Sequence, residues 1–169
     1  GGYDDMLMTV TSASKTFNLA GCQNAFVILP NEDYRKEFDA YINRIRVRRG
    51  NAFGNTAVEA AYRHGQQWLD EVLEIIRGNA RYVTDTLARE LPKAVVTPLE
   101  ATYLLWVDLG AYLSNDQLRD TVQGKCRLAV DYGDWFRPDT GDTHIRLNLA
   151  TPRKNVAEAV DRLVKALKP

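Results

Sequence analysis

Thr11-Ser12-Ala13-Ser14-Lys15-Thr16-Phe17-Asn18-Leu19-Ala20-Gly21 sets one lysine behind two serines, directly after the apolar stretch Met6-Leu7-Met8-Thr9-Val10. The apolar run predicts a buried strand over Met6 to Thr11, with a partly desolvated lysine at its end. Desolvation disfavours an ammonium and makes an amine a better nucleophile towards a carbonyl. Hydroxyls beside that amine can hold an anion. The combination suits a lysine that forms a Schiff base with a phosphorylated aldehyde.

Two other uses of the same residues compete with this one. Ser12 and Lys15 have the spacing of a nucleophilic serine and its lysine base in penicillin-recognising serine hydrolases. Those enzymes also need Ser-Asp-Asn and Lys-Thr-Gly elements. The chain has Ser114-Asn115-Asp116, in the wrong order, and Lys15-Thr16-Phe17, without the glycine. The hydrolase is therefore set aside. The plainer alternative is a surface lysine near a helix-capping serine.

Outward from this run, 169 residues suit one domain or a domain and a fraction. With 22 basic and 22 acidic residues, nothing in the charge balance argues for nucleic acid or an anionic membrane surface. No apolar stretch is long enough for a membrane span, and the first residues do not have a signal-peptide pattern. Cys22 and Cys126 stand far apart without zinc spacing, and His64 and His144 are the only histidines. We expect reduced thiols, no metal and a cytoplasmic protein.

Ala25 to Leu29 predicts a second strand, and Asn31 caps a helix expected to run to about Ile45. Arg44, Arg46, Arg48 and Arg49 follow, expected to form a solvated or ion-paired surface. Residues 55 to 91 read as mainly helical with a break near Gly65 or Gly78, and Trp68, Val72, Ile75 and Ile76 at helical spacing predict a buried face. Ala94 to Thr97, Thr102 to Val107, Arg127 to Val130 and His144 to Leu149 predict strands. Ser114-Asn115-Asp116-Gln117 is a capping-box pattern for a helix to about Lys125. A last helix is expected from about Pro152 to Lys168. The fold class is thus α/β, with residues 1–90 and a compact α+β unit at 91–169. Two strands are too few for a sheet alone, so the first part is expected to complete a larger sheet.

In His144-Ile145-Arg146-Leu147-Asn148-Leu149, alternation puts Ile145, Leu147 and Leu149 on one face and Arg146 on the other. An arginine there can sit on a wet strand face, or clamp a carboxylate through two parallel hydrogen bonds. Tyr103, Trp106, Tyr112, Trp135 and Phe136 are expected mainly to pack in the core.

The run from Ser12 to Gly21 closely resembles the cofactor-lysine segment of fold-type-I, pyridoxal-phosphate-dependent enzymes. It is most similar to the class I/II aminotransferase branch that includes cystathionine β-lyases and other C–S lyases. Asn51-Ala52-Phe53-Gly54-Asn55-Thr56-Ala57, with Ala60-Ala61-Tyr62, Gly65 and Trp68-Leu69, resembles the approach to the interdomain helix of that branch. Ala101 to Asp108 resembles the first main strand of its small domain. The resemblance extends from about Asp5 to Lys168.

It implies that Lys15 carries pyridoxal 5'-phosphate, that Ser12 binds the cofactor phosphate with Ser14 a small polar neighbour, and that Arg146 holds the substrate carboxylate. Arg153 corresponds to an arginine expected to be structural. Gln23, eight residues after Lys15, departs from the family's frequent basic residue there. The family's ring-stacking aromatic, ring-nitrogen aspartate and Gly-rich phosphate turn precede the lysine. The chain is therefore expected to be the C-terminal part of the fold, the end of the large domain (1–90) and the small domain (91–169). The implied activity is a C–S β-lyase or aminotransferase acting on amino acids such as cystathionine, dimeric when complete. This portion alone is expected to be inactive, and a silent folded fragment or association module is the alternative.

Overall fold

The computed structural model describes residues 2–47, 50–138 and 140–168. The chain divides into two compact units, Gly1–Asp70 and Glu71–Pro169.

In the first unit, β1 (Thr9–Thr11) pairs antiparallel with β2 (Phe26–Ile28), in register Val10 opposite Val27. A 3-10 turn at Asp4–Met6 replaces the first half of the expected strand. All three β1 residues are exposed, Val10 at 64%. The expected burial fails because β1 is hydrogen-bonded to β2 alone and no described element covers its apolar side chains. α1 (Glu32–Arg44) starts where Asn31 accepts from the Asp33 and Tyr34 N–H groups, as its capping position predicts. Arg44 lies over the Tyr41 ring at 5.3 Å. Arg48 and Arg49 of the basic cluster lie outside the described residues. α2 (Ala52–His64) is capped by the Asn51 side chain, which accepts from Gly54 N–H.

The helical break falls at Gly65, and α3 (Gln66–Glu90) continues through Gly78. Its buried positions are Ile76, Asn79, Val83, Thr86 and Leu87. Of the expected stripe, Ile76 is buried and Val72 packs against the core, while Trp68 and Ile75 stay 44% and 51% exposed. The buried face runs through Val72, Ile76, Val83 and Leu87, at steps of four, seven and four residues.

The second unit holds one antiparallel sheet of four strands, in the order β3 (Val95–Val96), β4 (Leu104–Asp108), β6 (His144–Asn148), β5 (Asp131–Tyr132). The capping box at Ser114 opens α4 (Asn115–Arg119), which runs on as a π-helical turn, Asp120–Lys125. The strand expected over Arg127 to Val130 is irregular. Arg127 has a left-handed φ of 54°, and pairing begins only at Asp131. α5 (Arg153–Leu167) closes the chain, with Pro152 as its N-cap. One face of the sheet (Leu105, Val107, Ile145, Leu147) joins Val83 and Leu87 of α3 and Val156, Val160 and Leu163 of α5 in a single buried cluster.

Asn79 ties α3 to the end of β6. Its amide donates to the carbonyls of Leu149 (2.9 Å) and Thr151 (2.8 Å), and its oxygen accepts from Arg153 Nε at 2.7 Å. Arg153 also covers the Tyr82 ring at 4.8 Å. Asn79 is 1% exposed, so water cannot replace these partners. Asn79→Ala is expected to destabilise the protein by about 2–4 kcal/mol in urea unfolding. A change below about 0.5 kcal/mol, the range of ordinary surface substitutions, would show that the network is not a stabilising one.

Candidate active site

Lys15 sits in a tight turn built from Ser14 to Asn18. Phe17 N–H donates to Ala13 O (3.0 Å), Leu19 N–H to Ser14 O (2.9 Å), and Asn18 takes a left-handed φ of 55°. Ala13 is fully buried and anchors the turn. Phe17 packs edge-on against Tyr62 (5.7 Å) and near-parallel to Trp68 (6.1 Å). Gly65 makes room for it, because a Cβ there would meet the Phe17 ring at 2.7 Å and the Ala61 carbonyl at 2.5 Å. Behind the turn, Asn51 Nδ2 donates to Cys22 O at 2.7 Å, and a Cβ on Gly54 would stand 2.7 Å from that same carbonyl. The glycines of the segment after Asn51 thus let α2 and the start of α3 press against the lysine loop.

Ser12 and Ser14 are half-buried, Ser14 opening the turn that holds Lys15 and Ser12 lying two residues before it. Ser14 Oγ donates to Asn24 O at 3.5 Å. The Lys15 amine and the Ser12 hydroxyl make no hydrogen bond among the described residues. Lys15 is exposed, so the described residues do not supply the burial expected of a lysine behind a buried strand. Gln23 carries a left-handed φ of 47° as the C-cap of a 3-10 turn.

Arg146 lies in the second unit, on the face of β6 opposite the core. The register places Trp106 of β4 beside it on one flank and Asp131 of β5 on the other. Its guanidinium donates to Asp131 Oδ2 from Nε (3.0 Å) and from Nη2 (2.6 Å). Its Cζ stands 4.7 Å from the Phe136 ring centroid and 5.5 Å from that of Trp106. Trp106 also lines a small cleft of about 280 Å³ formed by residues 97–102 and 104–106. Trp135 and Phe136 are 55% and 53% exposed, against the expected core packing. Their loop is held instead by a charge pair, Arg119 Nη2 to both Asp134 oxygens at 2.9 and 2.8 Å, with Arg119 stacked 4.4 Å from the Tyr132 ring.

The loop enters β6 through two carboxylates. Asp142 Oδ1 accepts from His144 N–H (2.8 Å) and lies 2.7 Å from His144 Nδ1. Asp108 Oδ1 accepts from Thr143 Oγ1 (2.6 Å) and Gly110 N–H (2.8 Å). Burial pulls both carboxyls upward, but these hydrogen bonds and the nearby His144 outweigh it and hold both below the usual carboxylate range.

Spacing along the chain could not reveal Asp131, because its pairing to Arg146 spans fifteen positions and rests on strand register. Asn79 and Arg119 are hidden for the same reason, whereas Asp142 pairs with His144 only two positions on, in a loop whose turn the spacing does not specify.

A family description for the class I and II aminotransferases matches residues 1–163, and the chain belongs to that family. Cystathionine beta-lyase PatB of Bacillus subtilis is 34% identical over 166 residues, covering 98% of this chain and 43% of that protein. Among solved structures, cystalysin from Treponema denticola, which contains a pyridoxal 5'-phosphate cofactor, matches with a TM-score of 0.86 at 31% identity, over 97% of this chain and 42% of that one. The PLP-bound C–S lyase from Staphylococcus hominis matches with a TM-score of 0.82 at 30% identity, over 96% of this chain and 41% of that one. The resemblance read from the lysine segment is borne out, as is its partial extent. The chain spans less than half the length of these relatives.

Because Asp108 and Asp142 titrate lower folded than unfolded, the stability they contribute is present above the ordinary carboxylate range and lost as pH falls through their folded values. Urea midpoints are therefore expected to fall from about pH 4 downward, and Asp142→Asn to flatten that acid limb. An acid limb of the same steepness in Asp142→Asn would contradict the assignment.

Proposed function

We propose that the intact protein carrying this chain is a pyridoxal-phosphate-dependent C–S β-lyase of the aminotransferase family, acting on a sulfur-bearing amino acid. Membership of the family, and lyases among the relatives named above, support this reading. The observation that carries it is the lysine turn. One exposed amine without a partner among the described residues stands in a tight turn that opens at Ser14 and follows Ser12 by two residues. That donor set fits an aldehyde-bearing phosphate ester. Lys15 would hold it covalently, and Ser12, with Ser14 beside it, would bind the phosphate.

When bound, this cofactor supplies an electron sink for a carbanion at the substrate α-carbon. Arg146 binds the amino acid by its carboxylate and orients it. The Lys15 amine, once freed, takes the α-proton as general base. With a β-sulfur present, the C–S bond breaks and sulfur leaves with the electron pair and a proton. The remaining three-carbon enamine takes up one water and hydrolyses, so that the products are a thiol, pyruvate and ammonia. If Lys15 instead keeps and redelivers the proton without loss of the sulfur group, the same residues would serve amino transfer. Both outcomes use the same residues of this chain.

The chain by itself we read as a catalytically silent, folded portion, because none of the described residues covers the exposed Lys15 side chain and β1. Residues 1–90 correspond in this reading to the end of a large domain and 91–169 to a small domain. The intact protein is proposed to be a cytoplasmic homodimer, in keeping with the resemblance. Among the described residues no helix is long and apolar enough to cross a membrane.

The test is to give the intact protein cystathionine and to measure pyruvate against keto-acid-dependent amino transfer. Pyruvate is expected to dominate. Lys15→Ala should abolish both activities together with the visible absorbance that added pyridoxal phosphate confers. Arg146→Ala should lower kcat/KM by the equivalent of about 2–5 kcal/mol. Retained absorbance and turnover in Lys15→Ala would sink the assignment.

A further inference from the structure

Arg146 is held along one edge and packs against two neighbouring rings. Nε and Nη2 both donate to the single oxygen Oδ2 of Asp131, at 3.0 and 2.6 Å. Phe136 and Trp106 lie against the guanidinium, at 4.7 and 5.5 Å. Those two hydrogen bonds are the only ones Arg146 makes among the described residues. A guanidinium has two edges that can take a carboxylate, Nε with Nη2 and Nη1 with Nη2. Asp131 uses the first of them.

The pair is poorly built as a stability device. Arg146 and Asp131 keep 23% and 39% of their side chains exposed, and ion pairs this open contribute little to folding. Only one carboxylate oxygen is engaged, whereas Arg119 meets both oxygens of Asp134. What the pair does accomplish is to fix a long, rotamer-rich side chain in one orientation. The register makes this unavoidable, since Asp131 and Arg146 are direct neighbours across β5 and β6.

We propose that Asp131 is a positioning residue for substrate binding: it occupies the Nε–Nη2 edge of Arg146 and so commits the Nη1–Nη2 edge to the carboxylate of the amino-acid substrate. This rests on the reading of Arg146 as the carboxylate clamp. The ligand class is any α-amino acid, because the clamp touches only the carboxylate. Asp131 also leaves the clamp near neutral until the substrate arrives. Two opposite effects therefore follow from its removal: loss of orientation weakens binding, and gain of net positive charge strengthens it. The geometry points to orientation, because both hydrogen bonds define the guanidinium plane.

The experiment compares Asp131→Ala, Asp131→Asn and Arg146→Ala in the intact holoenzyme. Asp131→Ala is expected to raise the amino-acid KM about tenfold, the loss of one charge-assisted contact, with kcat within about twofold and an unchanged urea midpoint. Asp131→Asn keeps an oxygen that accepts from Nε–H and Nη2–H, and should hold KM within about threefold of the parent. Independently of activity, the Arg146 Nε–H resonance in nitrogen-15 spectra should be protected from exchange in the parent and in Asp131→Asn, and lost in Asp131→Ala. An unchanged or lowered KM in Asp131→Ala overturns the positioning role, as does an Asp131→Asn variant impaired as much as Asp131→Ala. If Arg146→Ala raises KM in the same series, only the positioning role has failed. If Arg146→Ala leaves KM unchanged, the clamp itself is wrong and the positioning role falls with it.

Discussion

β6 is hydrogen-bonded on both sides, with Trp106 opposite Arg146 on β4 and Asp131 opposite it on β5, so its register is held twice. A slip of one residue would carry Arg146 into the core and Ile145 out of it. Ile145 is fully buried, and its neighbours Leu105, Val107 and Leu147 belong to the same cluster, so the slip would expose much of the apolar face. Burial on one face of the sheet therefore dictates what stands on the other. The row Trp106, Arg146, Asp131 follows from hydrophobic packing behind it. The Asn79 and Arg153 network fastens the outgoing end of β6, and Asp108 and Asp142 fasten the incoming end.

The lysine turn is built on a different principle. It has few buried side chains of its own and depends on close approach. Ala13 is buried, Phe17 is pinned by Tyr62 and Trp68, and Gly54 and Gly65 admit neighbours that any side chain would displace. The backbone around Lys15 is thus shaped while its amine remains exposed. A reactive amine needs both properties: a fixed position and an open approach.

Local signals were legible in the sequence. Asn31 caps α1, Ser114 and Gln117 form their capping box, and alternation along β6 assigns Arg146 to the polar face, because each depends on residues a few positions apart. The lysine motif also declared the family, since a short run of specific residues carried it. Non-local features stayed hidden. The apolar run from Met6 to Val10 has strand character, but nothing in its pattern tells whether a partner covers it, and the structure leaves it exposed. Trp68, Val72, Ile75 and Ile76 fit one helical stripe, and only the position of the sheet decides that Ile76 is covered while Trp68 and Ile75 are not. Asp131 was invisible because its strand is two residues long and follows an irregular stretch. Trp135 and Phe136 were expected inside on composition, yet they stand beside Arg119 and Arg146, where an aromatic face can stabilise a cation.

The central claim is that Lys15 carries the chemistry. The most direct measurement is to reduce the intact protein with borohydride in the presence of pyridoxal phosphate, digest it, and locate the pyridoxyl group by mass spectrometry. The account predicts a single modified peptide with the group on Lys15, and its loss in Lys15→Ala. A pyridoxyl group mapped to Lys36 or another lysine, with Lys15 unmodified, would contradict it.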